Sequence, residues 1–94
     1  MPGLLSNDEI ETALSELDGW AREDDAIRRD VTADTFAAGI ALVDRVAALA
    51  DERDHHPDID IRWTTITFRL STHSEGGITA NDIEMAREID RLAG

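Results

Sequence analysis

From Ala37 to Ala50 the chain runs AAGIALVDRVAALA, a stretch charged only at Asp44 and Arg45 in a protein whose residues are 32% charged. A helix on the surface of a monomer needs one apolar stripe, not most of its circumference. Here two stripes recur at helical spacing: Phe36, Ile40, Val43, Ala47 and Ala50, and beside them Gly39, Leu42, Val46 and Leu49. Small alanines that merely widen one stripe are the plainer explanation. One stripe packing on a sheet and the other on a second subunit accounts better for both. The pattern therefore predicts a helix over 32–53, capped by Thr32 or Asp34, and a homo-oligomer built through it.

What this helix packs on is written in the rest of the chain. "TTITFRLST" alternates, with Ile66, Phe68 and Leu70 on one face and Thr65, Thr67 and Arg69 on the other, as in a half-buried strand. "WAREDDAIRRDVT" alternates around Asp24-Asp25 and predicts a hairpin with strands near 20–24 and 26–31. "SNDE" opens a first helix, Ser6 capping it while Glu9 reaches back; Ile10, Ala13, Leu14 and Leu17 follow, and Asp18-Gly19 stops it. After the "SEGG" turn, Thr79 begins a last helix carrying Ile83, Ala86, Ile89 and Leu92. At 94 residues the chain is one domain spanning 1–94. The order α-β-β-α-β-β-α predicts an α+β two-layer sandwich, a four-stranded antiparallel sheet with three helices on one face.

Charge narrows the partners. The formal net charge is −12, and all nine basic residues are arginine. Such a surface repels nucleic acid and anionic membranes, so neither is expected as a partner. An acidic, lysine-free surface fits a salt-loving source, since strong salt screens self-repulsion; a genome that favours arginine explains the missing lysine equally well. With no cysteine there is neither a disulfide nor a thiolate. "MPGLLSNDE" lacks the basic and apolar blocks of a leader, and the expectation is a cytoplasmic protein.

Chemistry concentrates in "DERDHHPDIDIRW", where two of the three histidines stand side by side. A His-His pair in a loop is commonly surface decoration. Against that, His73 lies at the end of the Ile66–Leu70 strand beside a glycine turn, a place where reactive side chains collect. Asp51, Asp54, Asp58 and Asp60 also surround the pair, and a carboxylate orients an imidazole. Metal binding is disfavoured because adjacent residues of an extended segment point to opposite sides, and no His pair has helical i, i+4 spacing. Ser71, His73 and Ser74 lack the approach geometry of a nucleophile and its base. General acid/base work by imidazoles is what is left. Asp82, three residues after Thr79, reads both as a capping-box member and as a carboxylate aimed near His73. Trp63 is either a packing residue or a wall for stacking a ring, and Trp20 reads as core.

Together these residues resemble the pterin-4a-carbinolamine dehydratases. The family pattern is an acidic residue, three residues, His-His-Pro, a short gap, an aromatic, nine residues, His, then Asp. Asp51, His55, His56, Pro57, Trp63, His73 and Asp82 fill those places. Asp51 stands where relatives more often carry Glu, and Trp63 where they more often carry Tyr. Leu17, Gly19 and Trp20, the alanine-rich helix and the closing acidic helix match as well, so the likeness runs along the whole chain.

The resemblance implies dehydration of a 4a-hydroxytetrahydropterin to the quinonoid dihydropterin, without metal or cofactor, within pterin recycling beside an aromatic amino acid hydroxylase. It implies His55 and His73 as the acid/base residues, His56, Pro57 and Trp63 as pterin-binding ones, and Asp51, Asp54 and Asp82 as carboxylates that orient or tune the imidazoles. It implies dimers or tetramers through the second helix. Some animal members also bind a transcription factor, a role this acidic surface does not support. A non-catalytic pterin-binding or assembly module on the same fold is the leading alternative, and a zinc hydrolase a more distant one.

Overall fold

The computed structural model describes residues 3–94. The first helix, α1 (Asn7–Leu14), starts at Ser6, whose hydroxyl accepts from the Glu9 amide while the Glu9 carboxylate accepts from the Ser6 amide. This reciprocal cap satisfies two donors that the first turn leaves open. Past α1 the chain turns, Gly19 taking a φ of 88° that favours glycine, and seats Leu17 and Trp20 in the core.

Strands β1 (Ala21–Glu23) and β2 (Ala26–Thr32) form the expected hairpin around Asp24-Asp25. Its turn works without glycine because Asp24 adopts a φ of 56°; a short polar side chain tolerates that region better than most. Helix α2 (Phe36–Arg53) is capped by Thr35, whose hydroxyl accepts from the Ala38 amide, rather than by Thr32 or Asp34. The reason lies in the sheet: β2 pairs through Thr32 with Thr65, and the Ala33 amide still bonds the Thr64 carbonyl, so the helix cannot start sooner.

Strands β3 (Asp58–Arg62) and β4 (Thr65–Leu70) make a second hairpin, and helix α3 (Ala80–Ala93) follows. The sheet is antiparallel throughout in the order β1-β2-β4-β3, which places β4 at the centre. The register sets its two faces apart. Ile66, Phe68 and Leu70, opposite Val31, Arg29 and Ile27 on β2, point to the helices, and all three are fully buried. They join Ile10 of α1, Leu42 and Val46 of α2, and Ile83, Met85, Ala86 and Ile89 of α3 in one core. Arg29 is the polar exception on that face; it pairs with Asp90 of α3, which also accepts from the Trp20 indole at 2.8 Å.

The other face is polar. Glu23, Arg28, Asp30, Asp58, Asp60, Arg62, Thr67 and Arg69 alternate in charge and line an open groove of about 660 Å³. Glu23 takes hydrogen bonds from Arg28 and Arg69, and Asp30 from Arg28 and Thr67.

The two stripes of α2 separate except at Ala50, which the spacing sets in the outer stripe and the fold buries with the inner one. Gly39, Leu42, Val46 and Ala50 are buried on the sheet, and Leu49 lies half-buried against the core. Phe36 is 52% exposed, with Ile40 and Val43 half-buried and Ala47 exposed. No helix is long and apolar enough to cross a membrane among the described residues.

Candidate functional site

The site forms where α2 ends, β4 ends and α3 begins. At the end of α2, Asp54 takes the left-handed conformation (φ 51°), its amide bonding the Ala50 and Asp51 carbonyls. The His55 amide returns to the Ala50 carbonyl at 3.0 Å. This terminator turns the backbone out of the helix, and Pro57 bars any continuation. His55 is thereby left facing the core side while His56 faces outward: the His55 side chain is 13% exposed, and that of His56 is largely open.

On the other wall, the alternation of β4 carries one step past its last paired residue. Ile66, Phe68, Leu70 and Thr72 share a parity, so Thr72 is buried like the apolar residues before it. Its amide bonds the Gly77 carbonyl at 2.8 Å, closing a loop that holds a short 3-10 turn (His73–Glu75) and Gly76 at a φ of 74°. His73 is exposed on that turn.

Asp82 joins the walls. It is the third residue of α3, and Thr79, the cap of that helix, donates its amide to Asp82 Oδ2 at 2.9 Å. Thr72 Oγ1 donates to the same oxygen at 2.8 Å and lies 2.7 Å from Thr79 Oγ1. His55 Nε2 meets the other oxygen, Oδ1, at 2.6 Å. The carboxylate is fully buried with both oxygens hydrogen-bonded, Oδ2 twice and Oδ1 once, the condition under which a buried carboxylate is tolerable. Thus Asp82 is at once the capping-box member and the partner of an imidazole, although that imidazole is His55 and not His73.

His56 Nε2 lies 2.9 Å from Asp51 Oδ1 at the surface. Asp54, His55, His56, Pro57, Asp58, Ser71, Thr72, His73 and Ser74 line one open cavity of about 330 Å³. All three histidines thus border a single space. The Asp54 carboxylate bonds neither histidine among the described residues. Trp63 is elsewhere: it tips the β3–β4 turn, 78% exposed with a φ of 52°. The five residues of β3 separate it from Pro57, six steps or roughly 20 Å at strand spacing. Within one chain it does not share the cavity with the histidines. Thr72 is the site residue that sequence reasoning missed. Its signal was present: a hydroxyl continuing an otherwise apolar parity is a polar group that must find a buried partner.

Among the described residues, no group of three or more His, Asp or Glu side chains is gathered as metal ligands are. What the arrangement offers is one imidazole locked on a buried carboxylate, a second paired at the surface and a third open to solvent, around a space that admits a small molecule. Such groups can hold and move protons at a bound ligand.

Comparison with known proteins identifies the family. The family model for pterin 4 alpha carbinolamine dehydratase matches residues 3–92. A relative from Nocardia farcinica, named "Putative pterin-4-alpha-carbinolamine dehydratase", is 60% identical over 90 residues, covering 96% of this chain and 95% of its own. One of the same name from Mycobacterium avium is 55% identical over 91 residues, covering 97% of each. Among solved structures, a transcriptional coactivator/pterin dehydratase from Brucella melitensis superimposes with a TM-score of 0.92 at 36% identity, over 96% of this chain and 98% of that one. A pterin dehydratase-like protein described as a RuBisCO assembly factor in the alpha-carboxysome shares the fold, with a TM-score of 0.66 at 24% identity, over 80% of this chain and 87% of that one. By sequence and by fold, this chain belongs to the pterin 4 alpha carbinolamine dehydratase family.

Proposed function

We propose that the protein dehydrates a 4a-hydroxytetrahydropterin to the quinonoid dihydropterin by histidine acid/base catalysis. One observation carries the reading: His55 is held on the buried Asp82 at the wall of a cavity that His56 and His73 also line. The reaction needs one group to take the N5 proton and another to protonate the departing C4a hydroxyl. His55 and His73 are those two groups. His56 and Pro57 position the pterin, while Asp51 steadies His56 and Asp54 adds negative charge at the rim. Trp63 serves as a stacking residue only if the pterin, or a second subunit, brings it into reach.

The acidic surface suits a cytoplasmic enzyme of a salt-rich cell, and the reaction class places it beside a hydroxylase that forms the carbinolamine. The exposed stripe of α2 supports a dimer or tetramer.

The test is the decay of enzymatically generated 4a-hydroxytetrahydropterin, followed by ultraviolet absorbance in high salt. Acceleration that a chelator does not touch, and that His55→Ala and His73→Ala each reduce about 100-fold or more, is the expected result. A folded wild-type protein that gives no acceleration would sink the enzymatic reading and favour a non-catalytic pterin-binding or assembly module.

A further inference from the structure

We propose that Thr72 is a positioning residue which, through Asp82, fixes His55 in the Nε2–H tautomer and leaves Nδ1 as its proton-accepting atom. The proposal rests on the dehydratase reading for its chemistry, although the tautomer itself does not.

The argument is a count of hydrogens. Thr72 and Thr79 each have one hydroxyl proton. Thr72 Oγ1 lies 2.8 Å from Asp82 Oδ2, a contact that would set two oxygens against each other unless the Thr72 proton lay between them. With that proton committed, the 2.7 Å contact between the two hydroxyls requires Thr79 to donate to Thr72. Thr79 Oγ1 in turn accepts from the Asn81 amide at 3.2 Å. The chain of donors runs one way, from the first turn of α3 into Asp82, and the Thr79 amide adds a second donor to Oδ2. Two donors on Oδ2 favour an ionised, acceptor-only carboxylate, so at 2.6 Å the proton facing Oδ1 belongs to His55 Nε2. Asp82 is wholly buried, so water cannot reverse any of these directions.

A neutral imidazole protonated at Nε2 carries its lone pair on Nδ1. Nδ1 makes no hydrogen bond among the described residues, and the ring lines the cavity shared with His73. The step then balances. The pterin N5–H bond breaks, its proton goes to Nδ1, and its electron pair forms the C4a=N5 bond. The C4a–O bond breaks with its pair on oxygen, which takes a proton from His73 and leaves as water. The positive charge created on His55 faces the Asp82 carboxylate. His73, open to solvent, recovers its proton from water, and His55 returns its own the same way.

The experiment is long-range proton–nitrogen correlation on 15N-labelled protein, which reads the protonated ring nitrogen of each histidine. It is paired with kcat, KM and the pH profile of Thr72→Val and Thr72→Ser. We expect wild type and Thr72→Ser to show His55 protonated at Nε2. Thr72→Val keeps the shape and loses the donor, so we expect a mixed tautomer, a kcat about 10- to 100-fold lower, little change in KM and a displaced pH profile. His55 protonated at Nδ1 in wild type would overturn the proposal, and this holds even where Thr72→Val fails to fold. So would equal kcat values and pH profiles in the Val and Ser variants. If the tautomer is as expected while wild type shows no dehydratase activity, the functional reading fails and the positioning of His55 stands.

Discussion

At the scale of residues, two aspartates beside two histidines have opposite weights. Asp82 is buried and accepts from the Thr79 amide, the Thr72 hydroxyl and His55. Truncating it strands those donors and removes half of a helix cap. Each stranded buried group costs about 1–3 kcal/mol. Asp82→Ala should therefore lower the unfolding free energy by about 3 kcal/mol in urea titration, and a loss too small to resolve would contradict the account of the site. Asp51 meets His56 in the open, where an ion pair contributes little. Asp51→Ala should leave the urea midpoint unmoved. Glu23 shows a third case: hydrogen bonds from Arg28 and then Arg69 hold its carboxyl below its ordinary value of 4.5. With the folded value depressed, the unfolded chain binds the extra proton as acid is added. The stabilisation is thus whole above about pH 4.5 and fades as pH falls through the folded value. Glu23→Gln should flatten the fall of the urea midpoint as the pH drops below about 4.5, and an unchanged slope would mean the pairs are idle.

At the scale of elements, Gly39 shows how closely α2 lies on the sheet. A Cβ there would stand 3.2 Å from Ile66 Cδ1 and 3.6 Å from Ala33 Cβ. Alanine gains about 1 kcal/mol of helix propensity against that tight contact. The larger Gly39→Val has no such room beside a fully buried isoleucine, and overpacking should cost about 1–3 kcal/mol by thermal or urea unfolding. That closeness is foreshadowed by the sequence, because Gly39 sits in the same stripe as Leu42 and Val46. The strand parity of Ile66, Phe68 and Leu70, the Ser6–Glu9 cap and the Thr79 start were legible for the same reason: each depends on residues near in sequence. The cap of α2 was not, because pairing between Thr32 and Thr65 decides where β2 ends. The site divides likewise. The three histidines and Asp82 could be named as residues, but which carboxylate holds which ring depends on how α2, β4 and α3 converge. So does the distance of Trp63 from the histidines, which follows from the length of the β3–β4 hairpin.

At the scale of the whole molecule, charge and apolar surface act against each other. A dimer of this chain would bring two net charges of −12 together, a repulsion that weakens as salt shortens the screening length from about 10 Å at 0.1 M to about 3 Å at 1 M. The outer stripe of α2 is the opposite kind of surface: Phe36 is 52% exposed and is followed along the helix by Ile40, Val43 and Ala47. Apolar contact is not weakened by salt, whereas an interface made of ion pairs would be. Association through α2 should therefore strengthen with salt. Sedimentation velocity should give a multiple of the 10.4 kDa chain mass in about 1 M salt, with dissociation favoured on dilution into low salt. Phe36→Glu places a charge on the most exposed large apolar residue of that stripe without touching the buried one, so it should give a folded monomer at every salt concentration. Wild type that sediments as a monomer throughout would remove the second subunit, and with it the reason for two apolar stripes on one helix. An oligomer unaffected by Phe36→Glu would move the interface to another face, with the unpaired edge of β3 the next surface to examine.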